Sequence, residues 1–147
     1  MNANKDLVRR WVDVFNRQDL DACSELAADA YVEHAIAPFG RQAPGRVNGP
    51  AHLRETAEWL VAQFPDVQMT IDELVADGEI VAARITSTGT NLGPLNGMMP
   101  PTGRTFTSQQ SHWFRITDGK LAEHWANRED LVAMLQLGVI VPPGRPT

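Results

Sequence analysis

The chain has 147 residues, 43% hydrophobic and 21% charged, with 13 Lys and Arg against 18 Asp and Glu. That length predicts a single domain over residues 1–147 with a core able to enclose a small-molecule cavity. The net charge of −5, with basic residues scattered among acidic ones, excludes the basic stripe that nucleic acid requires, and no apolar run is long enough to span a bilayer.

A first helix is predicted where Val8, Trp11, Val12 and Phe15 recur at three- and four-residue spacing, ending near residues 16–18. Asp19 suits an N-cap, so a short second helix is expected to run to about Ala28 and bury Leu20, Cys23 and Leu26. Cys23 is the only cysteine, so no internal disulfide or cysteine-rich metal site is possible. A buried lone thiol and a polar start without a signal-peptide core predict the reducing cytoplasm as its setting. Tyr31-Val32 carries a short strand into the body, with His34 at its end. Residues 38–49 mix Pro, Gly, Arg and Gln without periodicity, which predicts a long loop and a candidate lid. Pro50 opens a third helix through Leu53, Ala57, Leu60, Val61 and Phe64, which ends before Pro65.

From Val67 onward the pattern becomes alternating and β-branched. Breaks at Asp77-Gly78, at residues 93–103 and at Asp118-Gly119 divide it into four strands, about 67–76, 79–90, 105–117 and 120–127. Asp130 to Leu137 forms a closing helix with Gly138 as its C-cap signal, and residues 141–147 form a loose tail. Helices first and strands afterwards predict an α+β fold, with N-terminal helices packed on a curved, mostly antiparallel sheet.

His112 and His124 flank the turn Thr117-Asp118-Gly119. A two-residue type I′ loop would place His112 opposite Trp125 and send the histidines to different faces; a three-residue loop with a bulged Gly119 would place His112 opposite His124 and Gln110 opposite Ala126. One residue of register inverts a strand, so the local sequence leaves both open.

Four stretches together resemble the SnoaL-like polyketide cyclases of the nuclear transport factor 2-like cone fold. They are Tyr31-Val32-Glu33-His34, Phe64-Pro65-Asp66, residues 97–104 (GMMPPTGR) and residues 118–125 (DGKLAEHW), with Leu135-Gln136-Leu137-Gly138 fitting as well. The resemblance implies a cone-shaped α+β barrel, a pocket between bent sheet and helices, and homodimers packed through the outer sheet face, where Trp113 would be exposed. It favours the bulged register, with Gln110, His112 and His124 lining the pocket. It also implies an intramolecular aldol condensation without metal or cofactor, in which a base removes a proton beside a carbonyl and donors hold the enolate. The chain departs from the pattern at Ala126, where the cyclases carry an acid/base aspartate. Some family members lacking that aspartate resemble polyketide hydroxylases that work with a separate reductase, and a non-catalytic receptor is a third reading.

On this reading His112 and His124 handle protons, Gln110 orients a carbonyl, and His34 or Asp130 assists, Asp130 being the candidate substitute base at the pocket rim. Arg84, inside an apolar strand, needs a carboxylate, a ligand oxyanion or water. Trp59 and Phe114 supply apolar wall, and Met98 a flexible thioether at the entrance. His52 is expected at the surface and Glu123 on the outer face. The four histidines show no metal-ligand spacing. The expected partner is a hydrophobic small-molecule substrate.

Overall fold

A computed structural model describes residues 2–36, 46–47 and 49–144. Most of the candidate lid and the end of the tail lie outside the described residues. The elements in chain order are α1 (Ala3–Asn16), a 3₁₀ turn (Leu20–Ala22), α2 (Cys23–Leu26), β1 (Ala27–Glu33), β2 (Arg46–Val47) and α3 (Gly49–Gln63). There follow β3 (Gln68–Asp77), β4 (Ile80–Thr90), β5 (Thr105–Thr117), β6 (Lys120–Arg128) and α4 (Asp130–Gln136).

Asn2 caps α1 by accepting from the backbone N–H groups of Asn4 and Lys5. The predicted stripe buries Val8, Trp11, Val12 and Phe15. The second helix is shorter than its pattern suggests. It stops at Leu26 because Ala27–Glu33 leaves to pair with β6, and that long-range ladder overrides local helical preference.

Six strands form one sheet in the order β2-β1-β6-β5-β4-β3. The four long strands make the expected antiparallel meander; β1 joins β6 in parallel and β2 extends that edge. Register shifts between Ile71 and Glu73 and between Arg115 and Ile116 mark bulges in β3 and β6, the kind of irregularity that bends a strand. α1 packs on β3, α3 on β1 and α4 on β5. One core cluster joins α1 to the sheet, and a smaller one gathers Phe64, Val67, Leu95, Phe106 and Leu137. No helix among the described residues is long and apolar enough to cross a membrane.

The connection from β4 to β5 is tied to the end of α3. Leu92 and Gly93 both donate to the Gln63 carbonyl, Gln63 Oε1 accepts from the Asn96 backbone N–H at 2.8 Å, and Asn91 Oδ1 accepts from the Thr102 backbone at 2.7 Å. Gly93 is required there: a Cβ would stand 1.8 Å from the Ala62 carbonyl oxygen.

Candidate active site

Neither simple register describes the β5–β6 hairpin. Thr117 pairs with Lys120 across Asp118 and Gly119, whose φ angles of 52° and 73° fit a two-residue type I′ turn. Ile116 then pairs with Leu121 but Arg115 with Glu123, so Ala122 is extra and the bulge falls one step beyond the turn. From there His112 lies opposite Ala126, His124 opposite Phe114 and Gln110 opposite Arg128. The histidines therefore share the inner face as diagonal neighbours, which corrects both expected pairings and moves the bulge from Gly119 to Ala122. Ser108, Phe114 and Ile116 are buried on the same face, while Trp113 is 45% exposed on the other.

An unbroken line of short polar contacts follows. Tyr31 Oη donates to Glu33 Oε2 at 2.6 Å, Glu33 Oε1 lies 2.8 Å from His124 Nδ1, and His124 Nε2 lies 2.8 Å from His112 Nδ1. His112 Nε2 lies 2.8 Å from Gln110 Oε1, and Gln110 Nε2 donates to Ser108 Oγ at 3.3 Å. The imidazoles are nearly coplanar, with planes 10° apart and centroids 5.1 Å apart. Both are buried, at 3% and 5% exposure.

Donor and acceptor bookkeeping allows two consistent directions for this line. With the Gln110 oxygen toward His112, Nε2 carries its proton, Nδ1 accepts from His124 Nε2–H, and His124 donates from Nδ1 to Glu33. His124 is then an imidazolium beside a carboxylate. With the Gln110 amide turned over, its N–H donates to a bare His112 Nε2, His112 Nδ1–H donates to His124, and both rings are neutral. The two arrangements differ by one proton.

The surroundings fit this exchange. Burial pushes the Glu33 carboxyl up, but the His124 charge and hydrogen bonds from His124, Tyr31 and the Ala35 backbone outweigh it, leaving Glu33 below the ordinary carboxylate range. Burial, then the charges of His124 and Arg128, hold His112 well below the ordinary imidazole value. The Tyr31 phenol is raised by burial and by the Glu33 charge, so it stays a donor.

Glu33, Gln110, His112 and His124 line a cavity of about 390 Å³ whose remaining wall is largely apolar, with Trp11, Phe15, Trp59, Leu60 and Met134 among its contributors. Trp59 is thus placed at the cavity, donating from Nε1 to Asn96 Oδ1 at 3.2 Å. Phe114 is fully buried behind the histidines, 4.9 Å from the His124 ring, as a support and not a lining residue.

Several expected positions are corrected. His34 does not line the cavity; it stacks on Trp125 at 4.7 Å, with Nε2 3.9 Å from Glu123. Arg84 lies on the outer face, 2.9 Å from Glu73 and 3.7 Å from Asp72, because alternation along β4 turns it away from the interior. Met98 is 71% exposed in the β4–β5 connection and does not line the cavity. Asp130 does line it, but its oxygens each lie 3.1 Å from the Arg128 guanidinium, which also donates to the Ile36 carbonyl. That pairing suits an anchor for Arg128 better than a free base. His52, expected at the surface, is buried and lines the cavity.

Glu33, Tyr31, Trp11 and Arg128 were missed as site residues. The available signal was the alternation in Tyr31-Val32-Glu33, which puts Tyr31 and Glu33 on one face of β1. Among the described residues, no group of three or more His, Cys, Asp or Glu is arranged to hold a metal ion.

The model of the SnoaL-like polyketide cyclases matches residues 5–137. The chain is 31% identical over 140 residues to the aklanonic acid methyl ester cyclase DauD of Streptomyces sp. (strain C5), covering 94% of this chain and 83% of that protein. It is likewise 31% identical over 139 residues to the aklanonic acid methyl ester cyclase DnrD of Streptomyces peucetius, covering 94% and 92%. The crystal structure of wild-type IdmH from Streptomyces antibioticus superposes with a TM-score of 0.80 at 29% identity, covering 93% of this chain and 99% of that one.

Proposed function

The chain belongs to the SnoaL-like polyketide cyclase family, and from that premise we propose that it catalyses the intramolecular aldol cyclisation of a flat, hydrophobic polyketide by proton transfer through His112, His124 and Glu33. The continuous hydrogen-bonded line from Tyr31 to Ser108 carries this reading. Ala126 has no proton to move, and the neighbouring parallel strand supplies a carboxylate in its stead.

Substrate entry draws the Gln110 amide from His112 to a substrate carbonyl. His112 Nε2 takes a proton from the carbon beside that carbonyl while its Nδ1 proton passes to His124, whose new charge rests against Glu33. The resulting enolate carbon attacks a second carbonyl carbon of the same molecule, one C–C bond forms, and the new alkoxide takes the proton back from His112 Nε2. Substrate and product share one formula, so no redox partner or cofactor enters. A positioned base of this kind contributes about 10²- to 10⁴-fold.

The test uses aklanonic acid methyl ester, the compound for which the relatives are named, and follows its conversion to a product of unchanged mass. His112→Ala or His124→Ala should lower turnover at least about tenfold with the fold intact, and Glu33→Gln should lower it by a similar factor. Full activity in both histidine variants overturns the assignment. Dependence on oxygen and reducing equivalents would point to a hydroxylase, and binding without conversion, unchanged across the histidine pH range, to a receptor.

The same proposal includes a homodimer through the outer sheet face. Val75, Ala82, Trp113 and Trp125 stand in register across β3, β4, β5 and β6, with Val75 61% and Trp113 45% exposed, an apolar row suited to a second copy of the sheet. The proposed setting is the cytoplasm, where the buried Cys23 stays a thiol.

A further inference from the structure

We infer that Trp11 is a second oxyanion donor of this site, beside Gln110: its indole N–H donates to the carbonyl oxygen on which negative charge gathers as His112 withdraws the neighbouring proton. The inference rests on the cyclisation proposed above and adds a residue to it. Trp11 is 3% exposed, and its Nε1 atom is buried with no hydrogen-bond acceptor among the described residues. Nearly every buried polar group in a native fold is paired, so an unpaired one on a residue that lines a cavity calls for an explanation.

Its surroundings supply one. The Trp11 ring lines the cavity and lies 5.1 Å from the His112 ring and 5.3 Å from the His124 ring, centroid to centroid. Glu33, His124 and His112 are engaged with one another; Gln110 must first leave His112 to reach the carbonyl, and the Trp11 N–H adds a second donor that breaks no such bond. An enolate oxygen lies only two bonds from the carbon that loses its proton, so a donor beside the His112 ring reaches the same fragment of substrate.

The indole is also held rigidly. Phe15 and Phe114 meet it edge-on at 4.9 and 5.0 Å, and its helix is capped at Asn2. A donor that does not reorganise when charge develops is the arrangement that stabilises an oxyanion most. Indole donates only and does not titrate in the working range, so it favours an anionic oxygen without competing for the proton that the histidines carry.

The experiment joins kinetics to the indole ¹⁵N–¹H spectrum. Trp11→Phe keeps an aromatic ring and removes the donor; with aklanonic acid methyl ester it should lower kcat by at least about tenfold, and by as much as the 10²- to 10³-fold typical of losing one such donor, while changing KM less than about threefold. In the wild-type protein, the Trp11 indole signal should move downfield on saturation with 1,8-dihydroxyanthraquinone, a flat phenolic probe. Assignment through Phe variants at Trp59, Trp113 and Trp125 keeps this readout independent of how Trp11→Phe folds. Full kcat in Trp11→Phe, or an indole signal unmoved by the probe, overturns the inference. If His112→Ala is inactive while Trp11→Phe is not, the donor fails and the cyclisation stands. If the indole signal moves but the wild-type protein converts nothing, the indole binds an oxygen of the probe while the cyclisation, and with it the oxyanion role, fails.

Discussion

At the scale of single residues, the proposed mechanism gives Glu33, 2.8 Å from His124 Nδ1, the electrostatic work that Ala126 cannot do. The two histidines and Gln110 were legible through the family resemblance, since strand alternation alone left the hairpin register, and so the face of His112 relative to His124, open. Glu33 was not, because its relation to His124 spans 91 positions and depends on a parallel pairing that no local pattern announces. His52 was misjudged for a related reason: the first turn of α3 looks like surface until the cavity beside it is known. The buried relay has a consequence for stability. An unfolded His112 binds a proton near its ordinary value of about 6.5, whereas the folded one resists protonation, so acidification favours the unfolded chain. Glu33, also depressed on folding, has the same sign at lower pH: its contribution is present above the ordinary carboxylate range and lost as the pH falls through the folded value. Urea-unfolding free energy should therefore begin to decline below about pH 6.5. In His112→Gln that upper limb should flatten while the limb at carboxylate pH persists. An identical pH profile in the variant would show that His112 is not the titrating group.

At the scale of elements, the strands were placed within a residue or so because their alternation is regular, and the hairpin register was not, because the bulge sits at Ala122. Nothing distinguishes that residue locally from its neighbours. Its position is selected by what it achieves: the tight turn keeps its preferred geometry while His124 and Arg128 are still delivered to the interior. The β4–β5 connection shows the reverse case, a local rule with a visible cause. Gly93 has no room for a side chain against the α3 backbone, so Gly93→Ala must push the connection off Gln63 and disturb Asn96 and Trp59 with it. A loss of about 1–3 kcal/mol in stability is expected, read as a lower thermal midpoint. The same substitution at Gly97, where a Cβ would meet open space but φ is +70°, provides a comparison limited to backbone strain.

At the scale of the whole molecule, the order of helices and strands was enough to predict an α+β fold, since helices with one apolar stripe must cover a sheet with one apolar face. The parallel β1–β6 join escaped that logic, and with it the full extent of the sheet. The apolar row on the outer face makes a prediction at this scale. Trp113→Glu should shift the sedimentation coefficient from dimer to monomer without changing the far-ultraviolet spectrum, and an unshifted coefficient would exclude this face as the contact. The wide separation between Glu33 and His124 also bears on biogenesis. Contacts so remote along the chain form late and slow the search for the native state, and during synthesis β1 has no partner in the sheet's interior until β6 has left the ribosome. On the proposed mechanism, proton transfer would thus certify completion: a nascent or truncated chain lacking its last third would be chemically silent, and catalytic competence would arrive together with the closing of the ladder.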